Sequence, residues 1–218
     1  MIVTADVLVL STLPYGDTSL IVRGFSKLHG KESFLVKGAR KNRKQNGLLR
    51  PGMFLKITHY RKSGDLHLVK ELQSLHPLAN LYADPYKLCQ ITFICEVLQL
   101  VLPTHFEDAK LYGLLEERVI VFSQQENTPD FHVLLLFELA VELGIDPEDS
   151  WMAFGANAGW HPEVIQAGSA LFRDGISIGK TSLRREVLIG ILNYLSKSLD
   201  IPLQPKSLPV LLEVFADN

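Results

Sequence analysis

The segment Lys37-Gly38-Ala39-Arg40-Lys41-Asn42-Arg43-Lys44 sets five cations among eight residues with no acid between them. Ammonium and guanidinium groups at that density neutralise phosphates without reading a base sequence, and the glycine in the run lets the backbone turn as it passes. Nucleic acid is the polyanion such a run is suited to hold. The background charge agrees: residues 1–76 carry 13 Lys or Arg against 5 Asp or Glu, and residues 77–218 carry 9 against 19, so a total of −2 hides halves of +8 and −10. Arg23, Arg50 and Arg61 extend the basic surface, giving Lys37, Arg40, Lys41, Arg43, Lys44, Arg50, Arg23 and Arg61 as the expected contacts to nucleic acid. Tyr15, Phe25, Phe34 and Tyr60 interleave with Arg23, Lys27, Lys56 and Arg61; such rings can stack on bases, and each taken singly also suits a β core.

Other chemistries find less support. Gly175-Ile176-Ser177-Ile178-Gly179-Lys180-Thr181 approaches a phosphate-binding loop, but three residues separate its glycines where that loop has four, and the apolar run Val133 to Glu138 lies in a helical pattern ahead of it. ATP hydrolysis is not expected. His59 and His67 sit symmetrically about Ser63, so a hairpin there sets them opposite each other as cross-strand surface neighbours; two imidazoles without a nearby carboxylate or thiol do not complete a metal site. No Cys has a recognisable His partner, so the chain is expected to be no enzyme and to need no cofactor and no metal. Cys89 and Cys95 fall on different faces of one helix and make no disulfide framework, which points to a reducing cytoplasm. No run approaches the roughly 18 apolar residues of a membrane span, and the apolar start Met1 to Leu13, lacking a basic leader and broken by Asp6, reads as a strand.

The elements that must carry the basic run can be placed. Pro14-Tyr15-Gly16-Asp17, His29-Gly30-Lys31, Pro51-Gly52 and Ser63-Gly64-Asp65 punctuate the basic half between β-rich runs at 2–10, 19–26, 33–37, 54–60 and 66–72, the rhythm of a small closed barrel of the OB type. In the first run Val3, Ala5, Val7 and Val9 share a face, with Thr4 and Asp6 opposite. The cations fall between the third and fourth strands. Past Pro77 the period lengthens to about 3.6 residues, predicting helices at 87–102, 109–125, 130–143, 182–199 and 208–215. Between them the stretch from Gly144 to Gly179 holds eight Gly or Pro residues together with Trp151, Phe154, Trp160 and Phe172, and reads as an irregular, cysteine-free insert packed on aromatics. The expected fold is α+β: an OB-fold five-stranded β-barrel over residues 1–76, then an α-helical domain over 77–218 with the insert at about 144–180. In that acidic half Lys180, Arg184 and Arg185 form the densest cation cluster, at a predicted helix start beside Leu183, Val187 and Leu188, the kind of spot an acidic, apolar peptide needs.

Taken in order, Pro14-Tyr15-Gly16-Asp17-Thr18-Ser19-Leu20, His29-Gly30, Val36-Lys37-Gly38-Ala39-Arg40 and Leu49-Arg50-Pro51 resemble the N-terminal domain of the bacterial recombination mediator family RecO. Weaker agreement continues through Tyr60-Arg61 to Leu72, Cys95-Glu96-Val97-Leu98 and Lys206-Ser207-Leu208-Pro209-Val210-Leu211. The resemblance implies an OB-fold followed by a helical domain, and a protein that binds single- and double-stranded DNA, anneals complementary strands and helps load the RecA recombinase. It implies two protein partners, RecR and the acidic C-terminal tail of single-strand DNA-binding protein, for which Lys180, Arg184 and Arg185 are the expected docking cations. Lys37 and Arg40 fall on the family's Lys-Gly-x-Arg stretch and inherit a DNA-contact role directly. Many members carry a four-cysteine zinc module where this chain, over residues 150–172, has no cysteine, so zinc does not transfer; Asp17 stands where Glu is more usual. A general RNA-binding OB-fold protein is the alternative function.

Overall fold

The computed structural model describes residues 1–61, 64–104, 106–126 and 128–216. Strands β1 (Ile2–Tyr15), β2 (Ser19–Ser26), β3 (Gly30–Val36), β4 (Phe54–Tyr60) and β5 (Leu66–Ser74) close into a barrel in the order β1, β2, β3, β5, β4. Every pairing is antiparallel except that of β3 with β5, where Ser33 lies opposite Leu66 and Leu35 opposite Leu68. This is the OB-fold arrangement of the sequence-based expectation.

β1 runs five residues past its predicted end because one strand serves two neighbours. Ile2 to Leu8 pair with β4, Val7 to Tyr15 pair with β2, and an irregularity in register between Val9 and Ser11 marks the bend from one to the other. Such a bulge is how a short sheet curls far enough to close. Ala5, Val7 and Val9 are buried as alternation predicts, yet Leu8 and Leu10 are buried as well. A helix covers the outer face there: within α3 (Pro85–Val101), the Cys95 thiol donates to the Val9 carbonyl at 3.6 Å and the Gln99 amide donates to that of Leu10 at 3.4 Å.

Two compact units divide the chain at Gln125. The barrel ends with Ser74 near the charge break, but the first unit also takes in α2 (Ala79–Ala83), α3 and α4 (Ala109–Gln124). The reason lies in the barrel's aromatic residues, since the rings of Phe25 and Phe54 meet Tyr112 of α4 at 6.2 and 5.7 Å. A 76-residue barrel alone leaves those rings to water.

The second unit holds α5 (Phe131–Glu142), α6 (Pro147–Asn157), α7 (Pro162–Asp174), α8 (Thr181–Ser198) and α9 (Leu208–Val214). The expected irregular insert is here corrected: residues 147–157 and 162–174 are regular helices. Pro147 and Pro162 occupy first helical turns, where a missing N–H costs nothing, and Gly144, Gly159 and Gly175 follow helix ends in the left-handed region. Gly168 lies inside α7 because a Cβ there would come within 2.7 Å of the Trp151 ring. The aromatic packing is as expected, with Trp151 buried among Phe137, Trp160 and Tyr194 at centroid distances of 5.0, 5.0 and 5.8 Å and its indole N–H donating to the Ile165 carbonyl. Among the described residues no helix is long and apolar enough to cross a membrane.

Candidate nucleic-acid interface

The cation run leaves β3 at Val36 and turns at Gly38, whose φ of +72° is a conformation that L side chains rarely adopt. The Arg40 amide donates to the Thr18 carbonyl at 2.9 Å, tying the run to the β1–β2 turn. Asn42 then caps a short helix, α1 (Arg43–Leu48), accepting from the Gln45 amide at 3.1 Å. This helix was not predicted; six residues are too few to show a period. Ala39 and Leu49 are buried at either end of the segment and pin it to the barrel, while Lys37, Arg40, Lys41, Arg43, Lys44 and Arg50 are exposed. Among the described residues Lys37, Lys41, Arg43 and Lys44 form no ion pair. Unpaired, solvated cations on an anchored segment keep their full charge for a phosphate backbone.

The remaining basic residues separate into different roles. The Arg40 guanidinium donates to the carbonyls of Gly16 and Asp17 at 3.1 and 3.2 Å, so it braces the neighbouring turn as well as facing solvent. Arg50 lies with its guanidinium carbon 5.3 Å from the centre of the Tyr82 ring. Arg23 is exposed on β2, opposite Ser33, and lines a cleft of about 350 Å³ with Lys31, whose ammonium donates to the Gln99 carbonyl and whose pKa is lowered by burial and then by Arg23. Arg61 stands at the end of β4 remote from the cation run, a strand length of about 20 Å away, and lies 3.9 Å from the buried Glu32 carboxylate. The run and Arg50 lie on one segment of chain pinned to the barrel, whereas Arg61 follows the far end of β4.

The rings divide similarly. Phe25 and Phe34 are fully buried, whereas Tyr15 and Tyr60 are about half and two-fifths exposed. The expectation of surface histidines is corrected: His59 and His67 are both buried, stacked at 4.9 Å with Phe34 edge-on to His59. His59 follows Leu55 and Ile57 on the inward face of β4 by simple alternation, and the break in register, which leaves Lys70 of β5 unpaired, sets Val69 and His67 on that same face. Among the described residues no group of three or more His, Cys, Asp or Glu is placed to hold a metal ion.

In the second unit the cluster of Lys180, Arg184 and Arg185 is not one surface. Arg184 is buried, its Nε donating to Asp130 at 2.6 Å and its Nη2 to the Ile178 carbonyl at 2.6 Å. Asp130 also accepts from the Ile178 amide at 3.0 Å and from the Ser177 hydroxyl. Arg184 is thus corrected from docking cation to internal brace. Lys180 pairs with Glu163 at 3.3 Å on the surface, and Arg185 is exposed at the edge of a groove of about 420 Å³ whose apolar lining includes Leu188, Ile189, Leu211 and Phe215. Residues 175–179 also spell Gly-x-Ser-x-Gly, the form of a hydrolase nucleophile turn; Ser177 lies between two helices and donates its proton to a carboxylate, which is not the strand-to-helix turn with a histidine base that acyl transfer needs.

Comparison with known proteins fits this geometry. The family described as "Recombination protein O N terminal" matches residues 1–78, which span the barrel and the cation run. The chain is 28% identical to the DNA repair protein RecO of Flavobacterium psychrophilum and 25% identical to that of Christiangramia forsetii, in each case over 99% of this chain and 100% of the relative. It is 31% identical to the DNA repair protein RecO of Porphyromonas gingivalis over 68% of this chain and 63% of that one. With the barrel in the place the family prescribes and the similarity running end to end through the helical part, the chain belongs to the RecO family.

Proposed function

We propose that this chain is a non-enzymatic mediator of DNA repair and recombination that holds single- and double-stranded DNA on the surface from Lys37 to Arg50, anneals complementary strands and assists RecA loading together with RecR and single-strand DNA-binding protein. The observation that carries the reading is the anchored run of exposed, unpaired cations on an OB barrel; the relatives' printed role in DNA repair supports it. Annealing needs screening rather than bond chemistry. Cations on one surface bring two phosphate backbones close enough for bases to meet, and pairing then supplies the free energy. The acidic, apolar tail of single-strand DNA-binding protein is assigned to the groove beside Arg185, whose lining is apolar apart from its polar rim, where Glu186 stands next to Arg185. The cytoplasm is the compartment in which such a protein works.

The test is DNA affinity across salt. With about four phosphates neutralised, the log-log slope for a single strand is expected near −3. Changing Lys37, Lys41, Arg43 and Lys44 to Glu together is expected to abolish binding with the melting temperature unchanged, since solvated cations contribute little to stability; Arg40 is left in place because it braces the β1–β2 turn. Unchanged affinity in the folded variant moves the site elsewhere, and a strong preference for RNA in competition favours a general RNA-binding role.

A further inference from the structure

Beside the cation run lies a groove of about 660 Å³ within the first unit. The end of α1 forms one wall through Gly47 and Leu48, Met53 and Leu75 supply apolar surface, and Ala79 and Tyr82 of α2 stand opposite. Arg50 lies over Tyr82 at the edge, and the Tyr82 hydroxyl donates to the Pro51 carbonyl at 2.7 Å, which fixes the plane of the ring. Among the described residues lining the groove there is no carboxylate. α1 begins with Arg43 and Lys44 and ends in the groove wall, so about 7.5 Å separates the first cation from the apolar lining.

A mainly apolar cleft, whose polar lining is Ser74 and His76, the latter 2.8 Å from the Glu116 carboxylate, with a planar cation at its lip and unpaired cations next to it, is complementary to a molecule that joins a flat aromatic group to a chain of anions. We propose that this groove takes an unstacked base of single-stranded DNA, held against the Arg50–Tyr82 pair, while the flanking phosphates follow Lys37 to Lys44. The proposal rests on the DNA-binding reading above and adds to it a contact that duplex DNA cannot make, because paired bases are not free to leave the stack. Stacking on one such platform favours a base-bearing strand over a bare backbone of the same charge roughly tenfold.

The full chain is titrated with an oligothymidylate of about twelve nucleotides and with a strand of equal length built from abasic residues, a length within the range one OB fold spans. The expected result is roughly tenfold tighter binding of the base-bearing strand. Ala79→Trp fills the groove from an exposed position and removes no contact; it is expected to reduce the preference to within about twofold while leaving the salt slope unchanged. Arg50→Leu removes the planar cation from an exposed position and is expected to reduce the preference likewise, with the salt slope lowered by no more than about 0.7, so the outcome does not hang on the folding of one variant. Equal affinity of the two strands for the unaltered chain, or a preference that survives in both variants, overturns the base-binding groove and leaves the cation run standing. Failure of the unaltered chain to bind either strand overturns both.

Discussion

Acid is expected to loosen the first unit through His59. Burial foremost, then the charges of His67 on β5, Arg61 just past the end of β4 and His29 in the β2–β3 turn, hold its pKa at about 4, against an ordinary value of 6.5. Both of its ring nitrogens are buried and, among the described residues, meet no side-chain hydrogen-bond partner, while Phe34 and Glu32 face the same cluster from β3, the Glu32 carboxylate 3.4 Å from His67. The unfolded chain takes up a proton on this imidazole as pH falls through 6.5, and the folded chain does so only near 4. Stability is therefore complete above 6.5, falls between 6.5 and 4, and levels off below. Integrated from pH 7 to 4.5, one such site costs about 2.5 kcal/mol, which for a urea dependence of about 2 kcal/mol per molar lowers the midpoint by about 1 M. His132 in the second unit, buried and near Arg184, is held at about 3 and adds a slope of the same sign, so the comparison that isolates His59 is the unaltered chain against His59→Phe, followed by far-ultraviolet circular dichroism. Trp151 and Trp160 are the chain's two tryptophans and both lie in the second unit, so their fluorescence follows that unit separately. The reasoning is refuted if His59→Phe retains the full pH slope.

Arg184→Met leaves the Asp130 carboxylate buried without its charge partner, and a loss of about 3 to 5 kcal/mol in urea unfolding, read by tryptophan fluorescence, is expected; a change below about 1 kcal/mol would show that the pair braces nothing. Arg185→Glu is exposed and leaves that pair intact, so it should keep the unfolding midpoint and weaken a fluorescent peptide carrying the acidic tail of single-strand DNA-binding protein at least tenfold if the groove between α8 and α9 receives it, an effect in the range of a charge-reversal at an interface. Unchanged peptide affinity places the tail elsewhere.

Features legible along the chain were local. Turn residues at close intervals delimited β2 and β4 to the residue, the 3.6 period placed α3, α4, α5 and α8 to within about two residues, and the cluster from Lys37 to Lys44 was visible because charges that face solvent need no partner to be recognised. Glycine and proline were ambiguous, since the same residues that break helices also begin and end them, and α6 and α7 became legible only when Trp151 was seen packed against Gly168. Tertiary structure decided whatever depends on which distant segments meet. Barrel closure stacked His59 on His67 with Phe34 edge-on, Asp130 drew Arg184 out of a cation cluster that sequence alone presents as a surface, and Arg50 found Tyr82 across 32 residues and across the charge break at Pro77. Periodicity and charge are properties of neighbours along the chain; pairing and burial are properties of neighbours in space, and a closed barrel with helices packed on it makes many of those neighbours remote in sequence.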